Sequence, residues 1–281
     1  MKMNLRRITA KDAREAADFL DSQTITLRWL VAFFQHFDEL PEEEQSYWSL
    51  WRGDAGGGQG LQCIAAHFFQ NGTTYVAACP GIDLDPFEAL LEEELVPEKL
   101  VGDSSTIESW REASTQLAPR VARWRVINVL RSRVTSGLGE PAGFRLASRS
   151  DIPVLEEYER LLETELQEEH ARDFESLVEH NMVFVVEREG RTQGFVRSNF
   201  SDGRFVHAGG LYVHPLYRRK GVGRELASGI AVRVRRTLGV DVILDVYEEN
   251  TAARHAYESA GYERAGAGLE AQFEDGAWGG S

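Results

Sequence analysis

Cysteine is scarce: of 281 residues only Cys63 and Cys79 carry a thiol. They sit far apart, without CxxC or Cys/His spacing, which argues against a disulfide scaffold or a zinc-ligand set and makes buried packing the default for both. Basic residues are also in deficit. Lys and Arg number 31 against 45 Asp and Glu, a net charge of −14; such a field repels phosphate polymers, so no nucleic-acid partner is expected and any anion site must be built locally. No stretch approaches the ~18 uninterrupted apolar residues of a membrane span. The first residues, Met1 to Arg7, contain no apolar signal core. The expectation is a cytoplasmic protein with no membrane partner. No metal-ligand cluster, Ser/His/Asp order or catalytic cysteine emerges, so no metal is expected.

What is present is an ordinary globular composition, with 42% apolar and 27% charged residues. At a soft ~150 residues per domain, the length suits two domains. A Gly/Pro-rich stretch from Ser136 to Gly143 separates two segments of nearly equal length, placing one domain at 1–138 and a second at 139–281. Both begin alike: Leu5 to Ala13 aligns with Phe144 to Ile152 at a constant offset of 139 residues. In each, a hydroxyl (Thr9, Ser148) precedes an aspartate (Asp12, Asp151) by three positions, the spacing of a helix-capping box. The match suggests duplication.

The second half reads clearly. A capped helix with Leu155, Tyr158, Leu162 and Leu166 at helical spacing precedes the apolar strand Met182 to Val186. Phe195 to Asn199 and Phe205 to Val213 follow around the Asp202-Gly203 turn signal, predicting an antiparallel meander. Helical spacing from Gly221 to Leu238, an apolar strand at Val240 to Val246, a helix from Thr251 to Ala260 and a last strand from Tyr262 to Phe273 complete it. A helix joining two strands of one sheet makes them parallel, so the fold class is α/β with a mixed sheet. The first half shows a weaker form of this order: strands near Tyr47–Trp51, Leu61–Phe69 and Thr74–Cys79, then helices near Asp85–Leu95 and Thr106–Thr115. Its third strand runs into Pro80-Gly81 without a basic glycine loop.

The most informative segment is Leu211 to Arg224: a strand, a turn and a helix start bearing Arg218, Arg219, Lys220 and Arg224 with Gly221 and Gly223. In so acidic a chain this is anomalous. Free N–H groups at a helix N-terminus favour an anion, glycine lets phosphate approach the backbone, and Arg and Lys add charge-assisted contacts. A Walker loop is absent, and a dinucleotide fingerprint would need a third glycine where Leu226 stands. The plainer alternative is an ordinary helix start with a solvated basic face.

The segment resembles the pyrophosphate loop of the GNAT superfamily of N-acetyltransferases, Arg/Gln-x-x-Gly-x-Gly/Ala, matched by Arg218, Gly221 and Gly223 after Leu211-Tyr212-Val213-His214-Pro215. A second motif of that family, Asn-x-x-Ala-x-x-x-Tyr-x-x-x-Gly-Phe/Tyr, is matched by Asn250, Ala253, Tyr257, Gly261 and Tyr262. The resemblance covers roughly residues 143 to 275. It implies two tandem GNAT-like domains, the first degenerate and without the loop. It also implies acetyl-CoA held between two splayed parallel strands, its pantetheine arm paired to the Leu211, Tyr212 and Val213 backbone. The backbone amides of Arg219, Lys220, Gly221, Val222, Gly223 and Arg224 would hold the pyrophosphate. Gly209-Gly210 within the strand suits a bulge where strands part around a ligand, or a mere local bend.

Tyr257, with a reference pKa near 10, stays protonated at neutral pH and suits donation to the departing CoA thiolate; a core tyrosine is the alternative reading. Asn250 stands directly before a helix and suits an N-cap as well as a ligand contact. His207 precedes Leu211 on the strand and by alternation shares its face, making it a candidate base for the acceptor amine, although a packed histidine reads equally. Glu165, Glu169, His170 and Glu248 are rivals, and His214 looks structural or solvent-facing. The acidic run Glu156, Glu157, Glu159, Glu163, Glu165, Glu168 and Glu169 is either a solvated helix face or a means of steering a cationic amine. The expected activity is transfer of an acetyl group from acetyl-CoA to a primary amine of a small molecule or peptide. The first domain would shape the acceptor site or form a homodimer interface. The alternative is a non-catalytic acyl-CoA-binding module.

Overall fold

The computed structural model describes residues 3–55, 60–83, 85–134, 138–166 and 172–274. Both capping boxes form. The Thr9 N–H and hydroxyl donate to Asp12 at 2.9 and 2.8 Å, and Arg6 closes on the same carboxylate with two bonds of 2.9 and 2.6 Å. Ser148 repeats this on Asp151 at 2.8 and 2.7 Å, with Arg145 bonding at 2.8 and 2.9 Å. Each arginine meets a second acid, Asp54 for Arg6 and Glu187 for Arg145. The repeat legible in nine residues is therefore a repeat of a charged cluster.

The chain forms two compact units. The first takes 1–129, 247–249 and 266–281; the second takes 130–246 and 250–265. In the first, β1 (Met3–Arg7) leads to α1 (Ala13–Gln23), α2 (Arg28–Gln35) and α3 (Glu42–Ser46). An antiparallel meander follows, β2 (Trp48–Ala55), β3 (Leu61–Phe68) and β4 (Thr73–Ala78), in register from Trp48 against Phe68 and Cys63 against Ala78. After α4 (Asp85–Leu90) and a π-helical turn over Leu91–Leu95, β5 (Lys99–Asp103) runs parallel to β4, and α5 (Ser104–Ala113) and β6 (Val121–Ser132), whose residues from Leu130 on are counted with the second unit, complete the run. Two cores form on opposite faces of the sheet: Leu20, Leu30, Val31 and Phe34 from the first helices, and Phe87, Leu91, Ile107 and Trp110 from the later ones.

The second unit repeats the order. β7 (Phe144–Leu146), α6 (Ile152–Leu166) and α7 (Phe174–Glu179) precede the meander β8 (Val183–Arg188), β9 (Arg191–Ser201) and β10 (Phe205–Val213). Then α8 (Val222–Leu238) returns the chain to β11 (Asp241–Tyr247), parallel to β10, and α9 (Thr251–Ser259) and β12 (Tyr262–Phe273) follow. The predicted meander, parallel crossover and closing strand are all present. On one face α8 buries Val222, Leu226, Ile230 and Val234 against the strands; on the other, α6 and α7 bury Leu155, Tyr158, Phe174 and Val178. The second half of β12 belongs to the first unit, where Gly268–Gln272 lie antiparallel to β5. Among the described residues no helix is long and apolar enough to cross a membrane.

Candidate functional site

The site begins where two parallel strands stop pairing. β10 and β11 are in register only from Phe205 against Asp241 to His207 against Ile243. Beyond His207, β10 keeps β9 as its partner and parts from β11. Two register shifts against β9 accompany the parting. One falls between His207 and Ala208; in the other, Gly209 opposes Arg197 and Tyr212 opposes Phe195, so β10 carries one extra residue. Gly210 takes the left-handed φ of +59° that such a bulge demands and that a side chain resists.

The bulge corrects one reading of the sequence. Simple alternation places His207 and Leu211 on the same face. In the structure Val206 and Ala208 pack toward α8, and past the extra residue Leu211 and Val213 do the same, while Tyr212 joins the core under α6. His207 therefore faces away from Leu211, on the side of α6 and α7, because the inserted residue inverts the phase of the strand.

Beyond Val213 the chain turns through Pro215–Tyr217, capped by His214, whose Nδ1 accepts from the Leu216 N–H at 3.4 Å. Arg219 (φ +60°) and Gly221 (φ +85°) both adopt left-handed backbone, and α8 starts directly after Gly221. The first N–H groups of a helix have no intrahelical acceptor, so those of Val222, Gly223 and Arg224 point out of its N-terminal end with the positive pole of its dipole. A side chain at Gly223 would meet Val213 and Ala256 at ordinary contact distance, which seats the first turn of α8 between the end of β10 and α9. Arg219, Lys220 and Arg224 make no ion pair among the described residues. Arg218 is committed differently: its Nε donates to the Val213 carbonyl at 2.9 Å and its Nη2 to Glu165 at 2.6 Å.

Asn250 caps α9, its Oδ1 accepting from the Ala253 N–H at 3.1 Å. One turn further, Tyr257 is 7% exposed and lies 5.9 Å from the Tyr262 ring, and its hydroxyl makes no hydrogen bond among the described residues. Burial pushes the Tyr257 hydroxyl up to about 12, so it holds its proton throughout the neutral range. His207 Nε2 lies 3.1 Å from Asp245 Oδ2, its Nδ1 lies 3.2 Å from Asn199 Nδ2, and its ring stacks on Phe200. The carboxylate accepts only and the amide nitrogen donates only, so in this pairing Nε2 donates to Asp245 and Nδ1 accepts from Asn199 Nδ2.

Of the rivals for base, Glu165 pairs with Arg218, Glu248 lies in the first unit with Asn128 donating to it, and Glu169 and His170 fall outside the described residues. The acidic face of α6 is exposed at Glu156, Glu157 and Glu165, but Glu159 is buried against Arg197. Sequence reading passed over Asp245, Asn199 and Arg197. Asp245 alone left a signal, a charge inside the otherwise apolar run Val242 to Val246. In the first unit the corresponding parallel pair runs from Thr73 with Lys99 to Val76 with Gly102, and β4 ends two residues on, at Ala78. No group of three or more metal-ligating side chains occurs among the described residues.

The acetyltransferase (GNAT) family's sequence model matches residues 150–262. A search of curated proteins finds no match. Solved structures share the fold along the whole chain. A GNAT-family acetyltransferase from Colwellia psychrerythraea is 12% identical, with 98% of this chain and 100% of that one covered and a TM-score of 0.62. A GCN5-related N-acetyltransferase from Sphaerobacter thermophilus is 16% identical over 95% and 94%, with a TM-score of 0.60. A tandem GNAT protein from the clavulanic acid biosynthesis pathway is 14% identical over 100% of both chains, with a TM-score of 0.61. At these identities the likeness is one of fold. The parted strands, the basic glycine turn and the family match fall on the same stretch of chain: residues 150–262 are an acetyltransferase domain of the GNAT family, in a chain with the tandem GNAT fold.

Proposed function

We propose that the second half, residues 139–281, transfers an acetyl group from acetyl-CoA to a primary amine by direct attack, and that residues 1–138 form a GNAT-like domain without a CoA loop. The observation that carries this is the coincidence of parted parallel strands with four basic residues and two glycines at one helix start in a chain of charge −14. In this reading the amides of Arg219 to Arg224 take the pyrophosphate, and Leu211, Tyr212 and Val213 offer backbone to the pantetheine arm and to the thioester carbonyl. Arg218, Asn250 and Ala253 frame the cofactor: Arg218 fixes the end of β10 through Val213, and Asn250 sets the start of the helix that presents Tyr257.

The amine nitrogen bonds to the acetyl carbon while the carbon–sulfur bond breaks. His207, oriented by Asp245, takes the proton the nitrogen sheds on Nδ1, where that proton displaces the hydrogen bond from the Asn199 amide. Tyr257 gives its proton to the CoA sulfur and is reprotonated through solvent, so the products are an amide and CoA thiol with no net proton change. Positioning supplies most of the rate. The exposed acids of α6 suit a cationic acceptor, a small amine or a peptide N-terminus. A regulatory module that binds acyl-CoA without turnover is the competing reading.

Thermal unfolding with acetyl-CoA tests the binding step. At ~1,000 times the dissociation constant, linkage predicts roughly 4 kcal/mol of stabilisation. That shift is expected in the wild type and absent in a Gly221→Glu/Gly223→Glu variant; a folded wild type that does not respond overturns the proposal. Turnover separates the two readings: an enzyme releases CoA with an amine and loses about 10²-fold or more of that rate in Tyr257→Phe while still binding acetyl-CoA, whereas a binding module releases none.

A further inference from the structure

Beneath the bulge lies an ion pair that the acyl-transfer reading leaves unused. Arg197, on β9 opposite Gly209, donates from Nη1 to Glu159 Oε1 on α6 at 2.9 Å, and both side chains are 6% exposed. Neither group is fully satisfied: among the described residues Arg197 Nε and Glu159 Oε2 are buried without a hydrogen-bond partner. The guanidinium lies directly against the bulged main chain. A Cβ built on Gly210 would fall 2.2 Å from Arg197 Nη2, 2.5 Å from Nε and 2.6 Å from Cζ; one on Gly209 would fall 2.5 Å from Asn199 Nδ2. Two side chains of β9 thus occupy the space that two missing side chains of β10 leave open.

As a source of stability this arrangement is poor. Taking two charges out of water costs several kcal/mol per ion, and apolar pairs of similar volume commonly replace buried ion pairs without loss. What an apolar pair could not supply is a planar cation braced from behind and pressed on one peptide. That peptide lies where β10 leaves β11 and directly precedes Leu211, the first of the three residues whose backbone the proposed function assigns to the acyl carbonyl. We infer that the Arg197–Glu159 pair is a positioning device for acyl transfer: it holds the Gly209–Gly210 bulge open and places positive charge behind the backbone that receives the thioester oxygen, strengthening that backbone's polarisation of the carbonyl. This inference rests on the acetyl-CoA reading above.

The test needs no acceptor. The carbonyl resonance of [1-13C]acetyl-CoA is recorded free and bound to the wild type, to Arg197→Met/Glu159→Leu and to Arg197→Lys, with acetyl-CoA affinity measured alongside by thermal shift. Bound to the wild type, the resonance moves downfield. The apolar double variant is expected to bind acetyl-CoA within about threefold of the wild type, since the phosphate loop is untouched, yet to lose about half or more of that displacement. Arg197→Lys, which keeps the charge but not the planar contact, is expected to fall between. A full wild-type displacement in the folded double variant overturns the inference and leaves the acetyl-CoA reading standing. A wild type that does not bind acetyl-CoA removes both. Should the double variant not fold, Arg197→Lys decides: an unchanged displacement overturns the inference, an intermediate one supports it.

Discussion

Asp151 accepts five hydrogen bonds, and replacing it with asparagine should cost about 3 kcal/mol. Its Oδ2 accepts from the Ser148 N–H, the Ser148 hydroxyl and Arg145 Nη1, and its Oδ1 accepts from Arg145 Nη2 and the Thr192 hydroxyl. Whichever oxygen becomes an amide NH2 then faces at least two donors. Each charge-assisted bond contributes about 1.5–3 kcal/mol, but the Arg145 side chain is 36% exposed and keeps Glu187, so the lower end applies. Hydrogen bonds from Arg145 and Ser148 outweigh burial and hold the carboxyl well below the usual range of about 3.9. A depressed folded-state value means that the contribution is complete above about pH 5 and is lost as pH falls through the unfolded value towards the folded one. The gap between wild type and Asp151→Asn should therefore narrow by about 1 kcal/mol between pH 7 and pH 3. Urea titrations followed by circular dichroism at both pH values measure it. Trp29, Trp48, Trp51, Trp110 and Trp124 all belong to the first unit, so their emission follows that unit separately. A gap below about 1 kcal/mol at pH 7, or one that does not narrow at pH 3, refutes the reasoning.

Gly229 of α8 lies under Phe144, whose Cδ2 would be 2.4 Å from an added Cβ; Gly229→Ala should cost about 1–3 kcal/mol by overpacking, seen as a lowered urea midpoint. Burial pushes the Cys63 thiol up to about 12, whereas Cys79 is partly exposed; alkylation of the native protein at pH 8 followed by peptide mapping should label Cys79 and spare Cys63. With its hydroxyl at about 12, Tyr257 should impose no loss of amine-dependent CoA release between pH 8 and about pH 10; a pH–rate profile with a descending limb in that interval that disappears in Tyr257→Phe would overturn the raised value.

The second half of the chain was the more legible, and the reason lies in its chemistry. Alternation, Asp202-Gly203 and the helical run after Gly221 each signal locally, and the structure has strand, turn and helix there. The capping boxes were legible because a box is complete within four residues. β6 was not. Its Arg123, Arg125 and Arg131 break the apolar pattern, and their partners Glu249 and Asp241 stand more than a hundred residues away. β5 is only five residues long and passes directly into α5. In the site, the glycine-rich turn announces itself by composition, whereas the facing of His207 depends on one inserted residue and the pairing of Arg197 with Glu159 on a contact 38 residues apart, which periodicity within one segment does not encode.

The pairing of Gly268–Gln272 with β5 bears on how the chain is made. During synthesis the first unit emerges with β5 unflanked on that side, and its neighbour leaves the ribosome about 165 residues later, at the usual 5–20 residues per second some ten to thirty seconds on. Until then Leu100 and Val101 sit on an open edge of a kind that invites pairing with another chain. The edge of β5 is therefore covered only once residues 268–272 have been made. An edge made early is closed by a strand made late.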